Sequence, residues 1–226
     1  MKQTTYQLII LDIDGTLYYQ KPVRLFMGME LALGMLVSKS IRRQVGIVRK
    51  VRSIREDWED ICKVEKLPVS DQSLDLESTQ FHYVAQLLGC SKDEVERAIT
   101  YWMDERPLKY VSFFRDRNLC EKIQKWRDQG VVVAVYSDNL IKGKTKALGV
   151  TLDYEFTAYD QGIGCMKPNP TGITHILKVC QVKPEDAIMI GDRMEKDGEA
   201  AQGAGIDYHI LKRTYFKRKI QGKLKY

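Results

Sequence analysis

The chain opens with a compact apolar segment that predicts a strand buried on both faces. Residues 6–13 read YQLIILDI, and the run ends in the turn residues Asp14-Gly15-Thr16. An apolar run of this length before a turn signal is typical of a strand in a covered parallel sheet. Further apolar or β-branched runs predict four more strands, at 131–136, 155–159, 187–190 and 208–211.

Helical segments separate these later strands from one another. They are predicted over 116–129, 141–148, 169–180 and a stretch through Glu199 and Ala204. Strands that alternate with helices imply a parallel sheet with right-handed crossovers. The fold class predicted for the chain is therefore α/β, with a doubly wound parallel sheet.

The alternation is interrupted after the first strand by a long helical block. A stripe of apolar residues from Ile41 to Ile61 predicts one helix, and a second is predicted over Glu77 to Leu88, ended by Gly89. Ser91 and Glu94 form a capping box that opens a third helix towards Trp102. We therefore predict a helical cap domain over residues 20–108, inserted into a core domain formed by 1–19 and 109–226.

Charge is unevenly distributed along the chain. Hydrophobic residues make up 44% and charged residues 29%, as in a globular protein, and the formal net charge is +6. Residues 38–55 and 212–226 each carry seven cations and no acid, and the rest of the chain is acidic. We expect the first stretch to be the solvated face of a cap helix, with contact to an anionic substrate or to nucleic acid as alternatives. We expect the second to be a solvated tail or short helix, with attachment to RNA or to a membrane as the alternative.

Cysteine and histidine usage excludes several site types. The five cysteines form no CxxC pair and are odd in number, which favours a reducing cytoplasm over a disulfide framework. The three histidines form no cluster with cysteine, so zinc is not expected. The most apolar run, 25–37, is too short to span a bilayer, contains Glu30, and is expected to pack within the cap or form a dimer contact.

Carboxylates follow three of the predicted strands. Asp12 and Asp14 lie at the end of the first, Asp138 follows the strand that ends at residue 136, and Asp192 follows the strand that ends at residue 190. Ligands bind beyond the carboxyl ends of strands in an open parallel sheet, and strand alternation puts Asp12 and Asp14 on one side. Such a cluster of like charges needs a cation or proton to neutralise it. Hard carboxylate oxygens with few histidines favour Mg²⁺.

The remaining polar residues suggest a phosphate pocket. Lys167 lies in a turn-rich stretch, and its ammonium beside carboxylates and Mg²⁺ would hold a phosphate dianion. Ser137 can donate a hydrogen bond to a phosphoryl oxygen, as can backbone N–H groups of the turn that starts at Asp138. Asp12 is then available as a nucleophile, and Asp14 can protonate the leaving group and later activate water.

Together these segments resemble the signature motifs of the haloacid dehalogenase superfamily of phosphohydrolases. The first motif, DxDGT, is similar to residues 12–16, and the second, a strand ending in Ser or Thr, matches Ser137. The third, a lysine usually followed by proline, matches Lys167, and the fourth, GDxxxxD, matches residues 191–197. The four motifs occur in family order and cover the whole predicted core.

The resemblance implies further roles. Asp12 and Asp192 would bind Mg²⁺ through their side chains and Asp14 through its backbone carbonyl. Asp197 would position Lys167 or an outer-shell water. The inserted helices resemble the cap of the phosphoglycolate phosphatase and β-phosphoglucomutase group, and the presence of Asp14 argues against the dehalogenase branch, which lacks that acid/base aspartate.

The expected activity is Mg²⁺-dependent hydrolysis of a small phosphorylated metabolite (phosphoglycolate, a sugar phosphate or a nucleotide) through an aspartyl phosphate. A phosphomutase with the same intermediate is one alternative, and a non-catalytic phosphate- or RNA-binding protein is another. Nucleic acid is not the expected partner, and the chain is expected to be a monomer or homodimer. Asn139 is expected to be a turn or cap residue, and Arg193 departs from the Ser or Thr of many relatives.

Overall fold

A five-stranded parallel sheet forms the centre of the molecule. The computed structural model describes residues 6–65, 75–214 and 217–218. The strands of the sheet are β1 Leu8–Leu11, β2 Val132–Ser137, β3 Tyr154–Thr157, β4 Ala187–Gly191 and β5 Asp207–Ile210. Their spatial order is β3-β2-β1-β4-β5, and Leu8 pairs with both Val132 and Ala187. The predicted α/β fold class is confirmed, with β1 buried at the middle of the sheet.

Seven α-helices lie between β1 and β2 in the described part of the chain, and we call the first six the inserted helices. They are α1 Gln20–Val37, α2 Lys39–Glu56, α3 Trp58–Glu65, α4 Leu76–Leu88, α5 Lys92–Ile99 and α6 Leu108–Phe113. Gly89 ends α4 at φ +61°, and the Ser91 side chain accepts the Glu94 N–H at 3.2 Å to begin α5, both as predicted. The boundaries of a cap domain at 20 and 108 stay a prediction.

Two of the predicted helices differ from the observed ones. The predicted helix over 41–61 is broken at Asp57, whose φ of −103° and ψ of 13° lie outside the α-helical region. After the break, Trp58 begins α3 and is buried. The third predicted helix is α-helical only to Ile99 and continues as a π-helical turn, Thr100–Glu105. The wider turn changes the direction in which side chains point, and Trp102 and Asp104 are both buried there.

The helices after the inserted block cover the sheet. They are α7 Arg117–Asp128, α8 Lys144–Leu148, α9 Thr171–Cys180 and α10 Glu199–Ala204. Alternation along β1 divides the core into two clusters. Ile9 and Leu11 pack in a cluster that continues through α7 and into the inserted helices, whereas Leu8 and Ile10 pack in the cluster that contains α9 and α10.

Helix α1 buries less of its apolar surface than the sequence predicts. Val23 and Met27 are buried, but Leu25, Leu33 and Leu36 are 62%, 64% and 75% exposed. Packing within the inserted helices therefore accounts for one side of the run at 25–37 and leaves its other side exposed to solvent.

The C-terminal basic stretch lies mostly outside the described residues. Its described part pairs β6 Arg213–Thr214 with β7 Lys217–Arg218 in an antiparallel arrangement, instead of the predicted tail or short helix. No disulfide joins the five cysteines, all of which are in the described ranges. Among the described helices, none has the length and apolar content needed to cross a membrane.

Candidate active site

The carboxyl ends of the three central strands bring the predicted residues together. Asp12 follows β1, Ser137 ends β2 and Asp192 follows β4. A pocket of about 490 Å³ opens at this edge, with walls from the core loops and the inserted helices. Open parallel sheets bind ligands at this edge, and the volume fits a small molecule.

Lys167 lies at the bottom of the pocket between two carboxylates. Its Nζ donates to Asp12 Oδ1 at 2.8 Å and to Asp197 Oδ1 at 2.7 Å. The lysine side chain is only 2% exposed, so both contacts are shielded from water. The four motifs predict that Asp12 and Lys167 lie in one site although they are 155 positions apart, and the structure places them in direct contact.

The ionisation of this buried group depends on its neighbours. Burial alone would lower the pKa of Lys167, but Asp12, Asp197 and Asp138 raise it well above its ordinary value, so the ammonium form is kept. Burial raises the pKa of the Asp12 carboxyl; Lys167 opposes this rise, and Asp197 and Asp192 add to it. A bound cation would reverse that rise, because positive charge favours the ionised carboxylate.

Three carboxylates converge where a metal ion would be held. Asp12, Asp192 and Asp197 each offer an oxygen atom, and these atoms all lie within 4.8 Å of one another. Both oxygens of Asp197 are engaged, Oδ1 by Lys167 and Oδ2 by the backbone N–H groups of Asp192 and Arg193 at 3.1 Å. Asp12 Oδ2 is buried and has no hydrogen-bond partner among the described residues. A divalent cation held by Asp12 and Asp192 fits this arrangement, with Asp197 as the support behind them.

Two glycines allow the carboxylates to approach the backbone. Gly15 has φ of +106°, and a Cβ atom there would lie 2.2 Å from Asp192 Oδ2. A Cβ on Gly191 would lie 2.2 Å from Asp197 Oδ2. Each motif therefore needs glycine next to its aspartate for steric reasons, and at Gly15 for conformational reasons as well.

The side chain of Asp14 is separate from the cluster of Asp12, Asp192 and Asp197. Lys144 Nζ donates to its two oxygens at 2.7 and 2.9 Å, Asn139 Nδ2 donates at 2.9 Å, and the Tyr18 hydroxyl donates at 2.7 Å. Burial alone would raise the pKa of Asp14, but Lys144 and these hydrogen bonds outweigh burial and lower it. The carboxylate form is therefore favoured. The predicted backbone contact of Asp14 to the metal stays a prediction.

Ser137 and Asp138 shape the loop after β2. The Ser137 hydroxyl oxygen accepts the Asn139 N–H at 3.1 Å, which leaves the hydroxyl proton for donation to a ligand. The Asp138 carboxylate accepts the Lys167 N–H at 2.9 Å and so ties this loop to the lysine loop. Contact of Asp138 with phosphate is therefore predicted only through its backbone N–H.

A family model for haloacid dehalogenase-like hydrolases matches residues 6–205 of the chain. The chain belongs to this family. It is thus a haloacid dehalogenase-like hydrolase, and the family predicted from the four motifs is confirmed.

Several known proteins are similar to this hydrolase over part of its sequence or in its fold. A glyceraldehyde 3-phosphate phosphatase from Pyrococcus furiosus is 34% identical over 94 residues, which is 40% of this chain and 37% of the relative. A 2-haloacid dehalogenase structure from Pseudomonas syringae pv. tomato has a TM-score of 0.59 at 18% identity, covering 96% of this chain and 92% of that one. A haloacid dehalogenase-type phosphatase structure from Thermococcus onnurineus has a TM-score of 0.56 at 18% identity, covering 93% and 88%. The two structures share the fold of this hydrolase.

Sequence reasoning missed several residues around Asp14 of the hydrolase. Asn139 is expected to be a turn or cap residue rather than a site residue, but its amide donates to the Asp14 carboxylate. Tyr18 and Lys144 were not predicted at all. One signal for Lys144 is its place in the first turn of the helix that follows β2. Such helices begin at the edge of the sheet where ligands bind, so a lysine there can reach the site.

Arg55 also differs from its expected role. Its Nε donates to Gln80 Oε1 at 3.2 Å and its Nη1 donates to Asn139 Oδ1 at 3.1 Å, and the residue is 9% exposed. The prediction of a solvated cationic face over 38–55 is therefore wrong at this position. Through Asn139, Arg55 connects α2 to Asp14, a contact that no local pattern along the sequence reveals.

Proposed function

We propose that this hydrolase is a phosphatase that cleaves a small phosphomonoester through an aspartyl phosphate on Asp12. The observation that carries the proposal is the convergence of Asp12, Lys167 and Ser137 around a pocket that also contains Asp14. The name of the Pyrococcus furiosus relative supports the same reaction class over the aligned part of the chain.

In the first step, the Asp12 carboxylate attacks phosphorus and the bond from phosphorus to the leaving oxygen breaks. The Lys167 ammonium and the Ser137 hydroxyl donate hydrogen bonds to the phosphoryl oxygens and stabilise their charge. Asp14, whose surroundings favour the carboxylate, must carry a proton at the start of this step; it gives that proton to the departing oxygen, so that an alcohol leaves and Asp14 becomes a carboxylate.

In the second step, Asp14 takes a proton from water while the water oxygen attacks phosphorus. The bond from phosphorus to Asp12 breaks, inorganic phosphate leaves, and both aspartates return to their starting forms. The contacts from Lys144, Asn139 and Tyr18 favour the carboxylate form of Asp14 that this step needs. Closure of the inserted helices over the pocket would exclude bulk water.

Magnesium is the cofactor that the acidic cluster favours. Asp12 and Asp192 would hold Mg²⁺, which when bound supplies positive charge against the phosphoryl group and the carboxylates. The choice rests on ligands that are carboxylate oxygens and on the buried Asp12 oxygen that has no hydrogen-bond partner within the described ranges.

The proposal is tested with an Asp12→Asn variant and an Asp128→Asn control, whose carboxylate is exposed on α7. Both proteins are assayed with a panel of phosphomonoesters in Mg²⁺, by release of inorganic phosphate and by intact mass after acid quenching. We expect Asp12→Asn to lose activity by about a thousandfold or more and to show no phosphoryl adduct. Full activity in this variant would contradict the mechanism, and isomer formation without phosphate release would show a mutase instead.

A further inference from the structure

The inserted helices contribute two arginines to the pocket wall, and we call them the cap arginine pair. Arg24 lies on α1 and Arg52 on α2, and both line the pocket and are solvent-exposed. No carboxylate of the described residues lies within ion-pair distance of either guanidinium. Two cations that face one cavity without a counterion are available to an anionic ligand.

The other cations of the pocket have partners within the protein. Lys167 contacts Asp12 and Asp197, and Lys144 contacts Asp14. Three further cations line the pocket. Arg55 donates hydrogen bonds to Gln80 and Asn139, and Arg193 forms ion pairs with Glu56 and Glu195. Lys196 donates a hydrogen bond to the Lys167 carbonyl. Within the described part of the chain, the cap arginine pair thus differs from every other pocket cation.

The two arginines act on each other and on the acid/base residue. Partial loss of water contact lowers the pKa of Arg52, and the positive charge of Arg24 lowers it further, whereas Tyr18 and Asp14 oppose the change. Arg24 in turn acts on Tyr18, whose hydroxyl donates to Asp14. The charge of Asp14 therefore reaches Arg52, and the charge of Arg24 reaches Tyr18, which is hydrogen-bonded to Asp14.

Two acids near the pair, Glu56 and Glu30, are bound to other arginines. Glu56 is one helical turn from Arg52 but contacts Arg193, at 3.4 and 3.5 Å. Glu30, on α1, contacts Arg106 at 2.7 Å. Burial raises the pKa of Asp104, and the charges that act on it most strongly come from Lys144 and Arg55. The repulsion between the cap arginines is therefore left for a ligand to relieve.

We infer that Arg24 and Arg52 bind a second anionic group, a carboxylate or a phosphate, on the leaving group of the substrate. The inference rests on the proposed function, in which Asp14 protonates the leaving oxygen. Atoms beyond that oxygen extend from Asp14 towards the inserted helices, where the cap arginine pair lies. The substrate class is thus a small phosphomonoester with two anionic ends, one at Asp12 and one at the arginines.

The test compares three esters of similar size: the phosphate ester of β-hydroxypropanoate, the corresponding amide, and propanediol bisphosphate. We expect the native protein to have a kcat/KM about ten- to hundredfold higher for one or both of the esters with a second anionic end than for the amide, as for a charge-assisted hydrogen bond. A preference for the first ester identifies a carboxylate site, and a preference for the bisphosphate identifies a phosphate site. In Arg52→Met and Arg24→Met the ratio to the amide should fall towards one.

Arg49→Met is the matched control, because Arg49 lies on the same helix, is exposed and does not line the pocket. It should keep the native ratio. Equal kcat/KM values for all three esters in the native protein would overturn the inference while leaving the phosphatase proposal intact. An unchanged ratio in both cap arginine variants would do the same.

Binding to the Asp12→Asn variant separates this inference from the proposed function. Calorimetry with the same three esters needs no turnover. Tighter binding of an anionic ester than of the amide, lost when Arg52→Met is added, supports the arginine site even if no ester is hydrolysed. Equal binding of the esters and the amide would overturn it, whatever the activity of the native protein.

Discussion

At the scale of single residues, two lysines divide the carboxylates of the site between them. Lys167 contacts Asp12 and Asp197, whereas Lys144 contacts Asp14. All of these lysine atoms are shielded from water, so each contact is much less screened than a surface ion pair. The proposed nucleophile and the proposed acid/base are thus held by different cations, and their charges can be changed separately by mutation.

Lys144→Met should weaken the acid/base function without removing the nucleophile. Asp14 would keep its contacts to Tyr18 and Asn139 but lose its ammonium partner, and its orientation and ionisation would change. We expect kcat with a small phosphomonoester to fall by roughly ten- to hundredfold. The kcat of each variant is measured by the steady-state release of inorganic phosphate.

Lys146→Met is the control for this variant, because Lys146 lies two residues along the same helix and is exposed. It should retain native kcat. If the two variants have the same activity, the Lys144 contact has no part in turnover.

At the scale of elements, Glu30 joins α1 to the segment around α6. Its carboxylate accepts hydrogen bonds from Arg106, Lys109 and Tyr110, and Phe26 stacks on Tyr110 with ring centroids 5.3 Å apart. Burial alone would raise the pKa of Glu30, but the hydrogen bonds from Lys109, Tyr110 and Arg106 outweigh it and lower the pKa to about 2. This contact fixes one end of the inserted helices to the chain that re-enters the core.

Glu30→Gln should destabilise the protein in a pH-dependent way. The folded-state pKa is below the ordinary value of 4.5, so the stabilisation is complete above that value and is lost as the pH falls towards about 2. We expect a loss of about 1 kcal/mol in the free energy of unfolding at neutral pH, after allowing for solvent screening. Urea titrations of the native and variant proteins should converge at acidic pH.

Glu121→Gln, on the exposed surface of α7, should be close to neutral at every pH. A Glu30→Gln penalty that stays constant down to the acid range would show that the contribution of Glu30 does not come from its charge.

At the scale of the whole molecule, the site exists only where separate parts of the chain meet. The segments after β1 and β4 bring Asp12, Asp192 and Asp197 together. Burial raises the pKa of Asp12, and repulsion from Asp197 and Asp192 raises it further. Helices α1 and α2 close the other side of the pocket with charged side chains. A cation that binds to the carboxylates should therefore stabilise the folded state as well as support activity.

Saturating Mg²⁺ should raise the Tm of the native protein by roughly 5 to 10 °C relative to a chelator-treated sample, as expected for ligand at about a hundred times its Kd. Asp192→Asn should lose most of this shift, and Asp128→Asn should keep it. Differential scanning calorimetry measures each Tm. A full shift in Asp192→Asn would place the ion elsewhere.

Local patterns predicted most elements because the signals for them are local. The apolar runs gave all five strands of the central sheet, and Gly89 and Ser91 marked helix ends where the backbone requires them. Apolar residues spaced three and four positions apart do not reveal the break at Asp57 or the π-helical turn after Ile99. In both places the periodicity continues while tertiary packing decides which way the side chains point.

The sequence by itself determined the family, the sheet and the group Asp12, Asp14, Ser137, Lys167 and Asp192, because each of these follows a strand or lies in a motif that can be recognised along the chain. Only the tertiary structure decided which side chains hold Asp14 and which cations have no partner. The contacts of Asp14 with Asn139 and Lys144 join residues 125 and 130 positions apart. Such contacts depend on how loops and inserted helices pack, and spacing along the chain carries no record of that packing.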